Sequence, residues 1–261
     1  MTRITKYPRT QHLEGSRLQP GDEDLAAVPF AALRGRHLVV EEKLDGSNVG
    51  VWFDDDDALV LQSRGHALRG GADERPFALL KAWARRHEDG LRAALGRRYV
   101  LYGEWLFAKH TVFYDLLPHY LHEFDVLDRE ASEFLDTPRR RALLADVRLP
   151  GVPVLHAGPV ASLDALTALV RPSLYKSPGW SDALVAAATA AGVPVELAWK
   201  ETDRADAAEG LYIKVEEQGR VVGRYKWVRA GFLQAVAASG SHWGERRIVE
   251  NGLAPGVDLF A

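Results

Sequence analysis

Val39-Val40-Glu41-Glu42-Lys43-Leu44-Asp45-Gly46-Ser47-Asn48-Val49-Gly50 decides how this chain is read. An apolar pair runs into two carboxylates, a lysine and a Gly-containing turn. Val49, Val51 and Phe53 then alternate with Gly50 and Trp52, the period of an outgoing strand. The pattern predicts a strand, a tight polar turn and a strand, with Lys43 close to the bend, where its neighbours can fix its rotamer. Most lysines are simply solvated. The other reading is a nucleophilic amine, which attacks only when neutral, so its site must lower the pKa from about 10.4 by desolvation or nearby cations. Glu42 and Asp45 push the other way, so the chain must supply cations and metal ligands elsewhere.

The bulk composition narrows the class. With 261 residues, 47% hydrophobic and 26% charged, the chain can bury a sizeable core as one large domain with at most a small appendage. It has no cysteine, which excludes disulfides, Cys-ligated zinc, iron–sulfur clusters and thiol catalysis. His119 and His122 alone do not make a zinc site. Met1-Thr2-Arg3-Ile4-Thr5-Lys6 is followed by no apolar run, so a cytoplasmic protein without membrane insertion is expected. A net charge of -3 argues against a general basic coat for nucleic acid, but leaves room for a local groove, since Asp54-Asp55-Asp56-Asp57 can sit at a distant hairpin tip.

Outward from the turn, Ala58 to Arg64 reads as a strand that pairs back across the acidic turn and brings Arg64 toward Lys43. Pro76 to Leu95 has an apolar face at helical spacing, with Gly90 as a candidate interruption. Tyr99 to Phe107 is an apolar strand holding one carboxylate, Glu104, which needs a partner or a ligand to be there. Tyr120 to Asp128 is the next strand. Thr137-Pro138 starts a basic helix through Arg139-Arg140-Arg141, with Thr137 as its cap and the arginines as a solvated face. Val152 to Leu155 reads as an edge strand, and helices follow from Ser162 and Ser181. In Glu209-Gly210-Leu211-Tyr212-Ile213-Lys214-Val215 the alternation sends Lys214 to one face. Gln218-Gly219 turns the chain into a returning strand on which Arg224 and Lys226 share a face. These are the cations that the nucleophile reading requires.

Lys43-Leu44-Asp45-Gly46-Ser47-Asn48 resembles the Lys-x-Asp-Gly motif of the covalent lysyl-nucleotidyltransferases, the RNA ligases, DNA ligases and mRNA capping enzymes. The Asn after Gly-Ser is most similar to the ATP-dependent RNA ligase family, nearest the branch typified by T4 RNA ligase 2. Ser63-Arg64-Gly65, Gly103-Glu104, Phe124-Asp125-Val126, Glu209-Gly210 with Lys214, and Arg224-Tyr225-Lys226-Trp227 resemble the family's further motifs in the family's order, over about Lys6 to Arg229. The last departs from the usual Lys-x-Lys by carrying Arg224, which keeps the charge and changes the hydrogen-bond geometry.

The resemblance implies an α+β nucleotidyltransferase domain, ATP-grasp-like, with antiparallel sheets around a nucleotide groove and helices outside. Residues 1–230 would form the adenylation domain and 231–261 a short helical extension, without an OB-fold or large C-terminal domain. It implies ATP with Mg2+ or Mn2+, Lys43 as nucleophile, and Asp45 orienting it. Lys214 and Lys226 would neutralise phosphate charge, with Glu209 on the metal. Glu42 would meet the adenine amino group, Glu104 the ribose, and Phe124 would stack on adenine. Asn48, Arg64, Arg17 and Arg224 would face RNA, with His12 beside Arg17 as a further phosphate contact. Gly103 would let backbone approach the ligand. The implied activity joins RNA 3′-hydroxyl and 5′-phosphate ends, by a monomer, with room for an RNA end-healing or clamp partner. A DNA ligase and a capping-type guanylyltransferase share the chemistry, and a non-enzymatic nucleic-acid-binding module would leave the carboxylates without a purpose.

Overall fold

The computed structural model describes residues 4–18, 26–240 and 243–261. The first residues of the chain, Met1 to Arg3, lie outside them. The described strands are β1 (Gln11–His12), β2 (Leu38–Lys43), β3 (Ser47–Phe53), β4 (Leu59–Ser63), β5 (Tyr99–Trp105), β6 (Leu121–Asp128), β7 (Glu133–Leu135), β8 (Val154–Gly158), β9 (Gly210–Glu217) and β10 (Arg220–Val228). They form one sheet in the order β4-β3-β5-β6-β7-β10-β9-β2-β8, antiparallel throughout, with β1 added in parallel to β10. The expected antiparallel α+β architecture is therefore present, as one continuous sheet rather than separate ones.

β2 and β3 do not pair with each other, although only Leu44-Asp45-Gly46 joins them. β3 belongs to the arm β4-β3-β5-β6-β7, and β2 to the arm β10-β9-β2-β8. The turn that carries the nucleophile candidate thus crosses from one arm to the other. The arms meet where Arg220 and Val221 of β10 pair Leu135 and Phe134 of β7. Beyond this seam β10 takes β1 as its neighbour, through Gln11↔Tyr225 and His12↔Lys226.

Side-chain alternation separates two cores. Leu38 and Val40 of β2, with Leu211, Ile213 and Val215 of β9, pack with Leu13, Phe30, Leu33, Val160 and Leu166. The opposite face of β9 carries Tyr212 and Lys214, and that of β2 carries Glu41 and Lys43. The other arm packs Val49, Val51 and Phe53 with the helices α1 (Ala78–Arg86) and α2 (Glu88–Leu95). Those helices break at His87, and Gly90 lies inside α2 rather than interrupting it.

α3 (Thr137–Leu143) is capped by Asp136, whose side chain accepts from Arg139 N, so Thr137 sits one position inside its expected place. α4 (Leu163–Thr167) starts at Ser162, whose hydroxyl accepts from Ala165 N at 3.1 Å. α5 (Trp180–Ala190) and α6 (Val195–Lys200) bury Trp180, Leu184, Ala188 and Ala198 with Phe113 and Val249. β8 occupies the sheet edge, as Val152 to Leu155 led one to expect.

α7 (Ala230–Ser239), where the expected C-terminal helical extension begins, packs back on the sheet. Phe232 is buried in the core of the β4-to-β7 arm. Farther on, Asn251 accepts from Tyr114 N at 2.9 Å and donates to Leu106 O at 2.7 Å, and its carbonyl accepts from Tyr120 Oη at 2.8 Å. The reason is the loop 106–120 between β5 and β6, several of whose backbone groups are satisfied by the returning chain.

Candidate active site

A cleft of about 760 Å3 opens between the arms, with Lys43, Asp45, Glu104, Phe124, Glu209 and Lys226 among its lining residues. At its floor Lys43 Nζ lies 2.7 Å from Glu209 Oε1, where the end of β2 adjoins the start of β9. Glu209 is almost fully buried, and the Lys43 side chain keeps 21% of its exposure. Burial opposes the ammonium, but the Glu209, Glu104 and Asp45 carboxylates outweigh it and raise the Lys43 pKa. Burial pushes Glu209 up to about 7, with Asp45 adding to the rise and Lys43 and Lys226 opposing it. Burial likewise pushes Glu104 up to about 8, aided by Glu209 and Asp45 and opposed by Lys43. The site thus carries more carboxylate than its cations offset, a set of hard oxygen donors that favours a divalent cation.

The Lys-x-Asp-Gly turn has a local explanation. Asp45 Oδ2 accepts from the backbone N–H groups of Thr111 and Val112, each at 2.7 Å, and Asp45 N donates to Tyr114 Oη at 2.9 Å. Asp45 therefore anchors the 110–114 loop beneath the cleft. Gly46 N donates to Glu104 Oε1 at 3.0 Å, and a Cβ at Gly46 would fall 2.7 Å from Trp105 O. Gly210 is required for a similar reason, because its Cβ would collide with the carbonyl of Trp227. Gly103 serves a different purpose from the expected one. Its tight approach is to His122 O on β6, 2.8 Å from a built Cβ, at the bulge in the β5–β6 pairing.

At the other side of the turn stand Phe124 of β6 and Tyr212 of β9, ring centroids 6.2 Å apart. Tyr7 packs edge-on against Phe124 at 5.2 Å, and its hydroxyl bonds both Asp125 and Tyr212. Tyr7 and Tyr212 were not singled out from the sequence, and both line the cleft. Glu42 also lines it, with its carboxylate accepting from Ser173 Oγ and from Leu174 N at 3.3 Å. Asn48 and exposed Arg64 stand at the β3 and β4 ends of the cleft.

The RNA ligase family profile matches residues 36–228, more than half of the chain. The chain belongs to the RNA ligase family. No curated protein sequence matches it. Its fold is similar to that of Naegleria gruberi RNA ligase. A lysine-to-methionine mutant of that protein with AMP and Mn aligns at TM-score 0.55 and 19% identity, over 88% of this chain and 57% of the other. A glutamate-to-alanine mutant with ATP and Mn gives TM-score 0.57 and 20% identity, over 88% and 58%. The enzyme with PPi gives 0.55 and 21%, over 88% and 57%. The chain thus spans less than three fifths of the length of those it matches.

Four residues named from the sequence as site candidates lie off the cleft lining. Lys214 does not line the cleft; it lies beneath the floor, 2.9 Å from Glu41 Oε2 and 3.1 Å from Asp125 Oδ1, and it donates to Phe124 O. Its charge is committed to those carboxylates instead of to a phosphate. Arg224 lies over the Phe134 ring at 3.8 Å, with Asp125 Oδ2 at 3.9 Å, also outside the lining. Arg17 is exposed away from the cleft, its backbone N–H bonded to Val228 O, and His12 is buried against Ser16 Oγ at 2.8 Å. Of the two lysines expected to neutralise phosphate charge, Lys226 lines the cleft and Lys214 does not.

Arg140 corrects the solvated-face reading of the arginine run. It is 1% exposed, 3.1 Å from both Glu41 Oε1 and Glu123 Oε2, and completes the ion cluster with Lys214 and Asp125. No described helix is long and apolar enough to cross a membrane.

Proposed function

We propose that this chain is an ATP-dependent RNA ligase that joins RNA 3′-hydroxyl and 5′-phosphate ends through lysyl-AMP and 5′-adenylated RNA. The observation that carries the reading is the Lys43–Glu209 pair on the floor of a cleft walled by Phe124, Glu104 and Lys226. The ATP, AMP, Mn and PPi present with the Naegleria enzyme support the same cofactor chemistry here.

Lys43 Nζ attacks the α-phosphorus of ATP, forming an N–P bond as the P–O bond to pyrophosphate breaks. The lysine must first lose its proton. Among the described residues no three His, Cys, Asp or Glu side chains are clustered as a metal cage. Glu209 and Glu104 fit a Mg2+ or Mn2+ ion that keeps waters and substrate phosphates as its other ligands. When bound, such an ion supplies positive charge for the phosphoryl oxygens. Committing Glu209 to a cation also removes the leading carboxylate that holds Lys43 protonated.

Phe124 and Tyr212 orient adenine, and Lys226 meets phosphate charge. In the second step an RNA 5′-phosphate oxygen attacks the AMP phosphorus and frees Lys43. In the third a 3′-hydroxyl oxygen attacks the 5′-phosphorus and expels AMP, with Arg64 and Asn48 at the RNA side. All three are displacements at phosphorus, served by one charge-stabilising pocket. Intact-mass measurement after ATP and Mg2+, for wild type and Lys43→Ala with GTP and NAD+ controls, tests the first step. One AMP gained only with ATP and only with Lys43 is expected. A GMP adduct would move the protein to the capping chemistry, and no adduct on AMP-free protein would end the autonomous ligase reading.

A further inference from the structure

The cleft presents aromatic surface at two places. Tyr7, Phe124 and Tyr212 lie where β6 faces β9. Around the first residues of β3 stands Trp243, contributed by the chain after α7, and it too lines the cleft. Its indole lies flat on His110, with ring centroids 3.8 Å apart and planes at 15°. His110 is 4% exposed, with Nε2 3.3 Å from Ser47 Oγ and Nδ1 3.8 Å from Asp45 Oδ1. The same segment is fastened by Arg246, which donates to His110 O at 3.0 Å and to Ser239 Oγ at 2.8 Å. A partly exposed indole is therefore held in a fixed plane against the ring that reaches Ser47, the residue before Asn48 at the start of β3.

We propose that Trp243 is a stacking platform for the nucleobase at one of the two RNA ends being joined. The proposal rests on the ligase reading above. Adenine of ATP is served by the Phe124–Tyr212 pair, whereas Trp243 adjoins, through His110, the turn that leads into the Asn48 strand. Every base has a π-face, so an aromatic shelf holds an RNA end without demanding a sequence, and each stacked base contributes about a factor of ten or more. Because His110 already orders the ring, little rotamer freedom is lost on binding. The family motifs do not extend to this position, and the fold brings it back to the cleft.

The test compares wild type, Trp243→Phe and Trp243→Leu in sealing pre-adenylated RNA at subsaturating concentration. The RNA is intact, abasic at the 3′-hydroxyl nucleotide, or abasic at the 5′-phosphate nucleotide. Leucine keeps apolar bulk for packing and loses the ring; phenylalanine keeps a ring. The expected result is that Trp243→Leu slows sealing of intact RNA about tenfold, that Trp243→Phe retains most of the rate, and that one abasic substrate erases the difference between wild type and Trp243→Leu. The substrate that does so identifies the end that stacks. An equal loss by Trp243→Leu on intact and both abasic RNAs overturns the platform and leaves Trp243 a packing residue. A wild type that seals no RNA overturns the ligase reading itself, and the platform with it.

Discussion

Lys43 Nζ and Glu209 Oε1 are 2.7 Å apart, so the candidate nucleophile is held as an ammonium by its own site until that carboxylate is engaged elsewhere. Single-turnover AMP loading should therefore have an acid limb governed by proton loss from Lys43. Removing the charge with Glu209→Gln in metal-free protein is expected to lower the Lys43 pKa and so speed its modification by an amine reagent at a given pH. Amine-labelling rates from about pH 6 to 10 without divalent cations check this, and an unmoved profile would show that Glu209 does not set the charge on Lys43.

Lys214 and Lys226 are both basic residues of the last two family motifs, yet they are expected to behave differently. Lys214→Ala takes one buried cation from Glu41 and Asp125, leaving Arg140 on the first and Tyr7 on the second, and should destabilise the fold by about 3 kcal/mol in urea denaturation. Lys226→Ala should slow AMP loading with a much smaller stability loss. Equal stability for the two variants would contradict the placement of Lys214 in a buried ion cluster.

Glu104 makes a signed prediction for stability. Its folded pKa of about 8 lies above the ordinary 4.5, so the folded chain holds a proton that the unfolded chain releases between those values. That contribution is fully present below pH 4.5 and is lost as pH rises toward 8. Relative to wild type, Glu104→Gln should therefore gain stability steadily through this window and level off above it. Thermal melts at closely spaced pH, without divalent cations, would expose a flat difference if the carboxyl titrates normally.

His122 gives the opposite sign. Burial, with a smaller contribution from His119, lowers its pKa from 6.5 to about 3, and neither ring nitrogen has a hydrogen-bond partner among the described residues. The unfolded chain then binds the extra proton, and stability is lost as pH falls from 6.5 toward 3. His122→Phe should resist acid better than wild type, with the advantage shrinking to its smallest value above pH 7. An advantage independent of pH would mean that packing against Tyr175, not protonation, is responsible.

Much of the site was legible from local chemistry. Glu104 was found because a carboxylate in an apolar strand needs a reason to be there, and Arg64 because the β3–β4 pairing brings it back to the turn. Lys214 shows the limit: strand alternation gives the face on which a side chain stands, but not whether that face is open cleft or filled interior. Arg140 was hidden because its partners, Glu41 and Glu123, come from strands remote in sequence. The divergence of β2 and β3 also left no mark in the residue pattern, since a short polar turn looks the same whether its strands pair or part. His110 and Trp243 carry no family motif and become visible only when the C-terminal residues are seen returning to the cleft.

The seam at Leu135–Arg220 and Phe134–Val221 joins the arms through two residue pairs, and it lies between the strand that carries Phe124 and the strand that carries Tyr212. Phe124 and Tyr212 stand as two jaws of the cleft on either side of it. Tyr7 acts as the latch across it, edge-on to Tyr102 and Phe134 on one arm and hydroxyl-bonded to Tyr212 on the other. The spacing of the two rings is thereby tied to a residue near the N-terminus, far in sequence from either jaw.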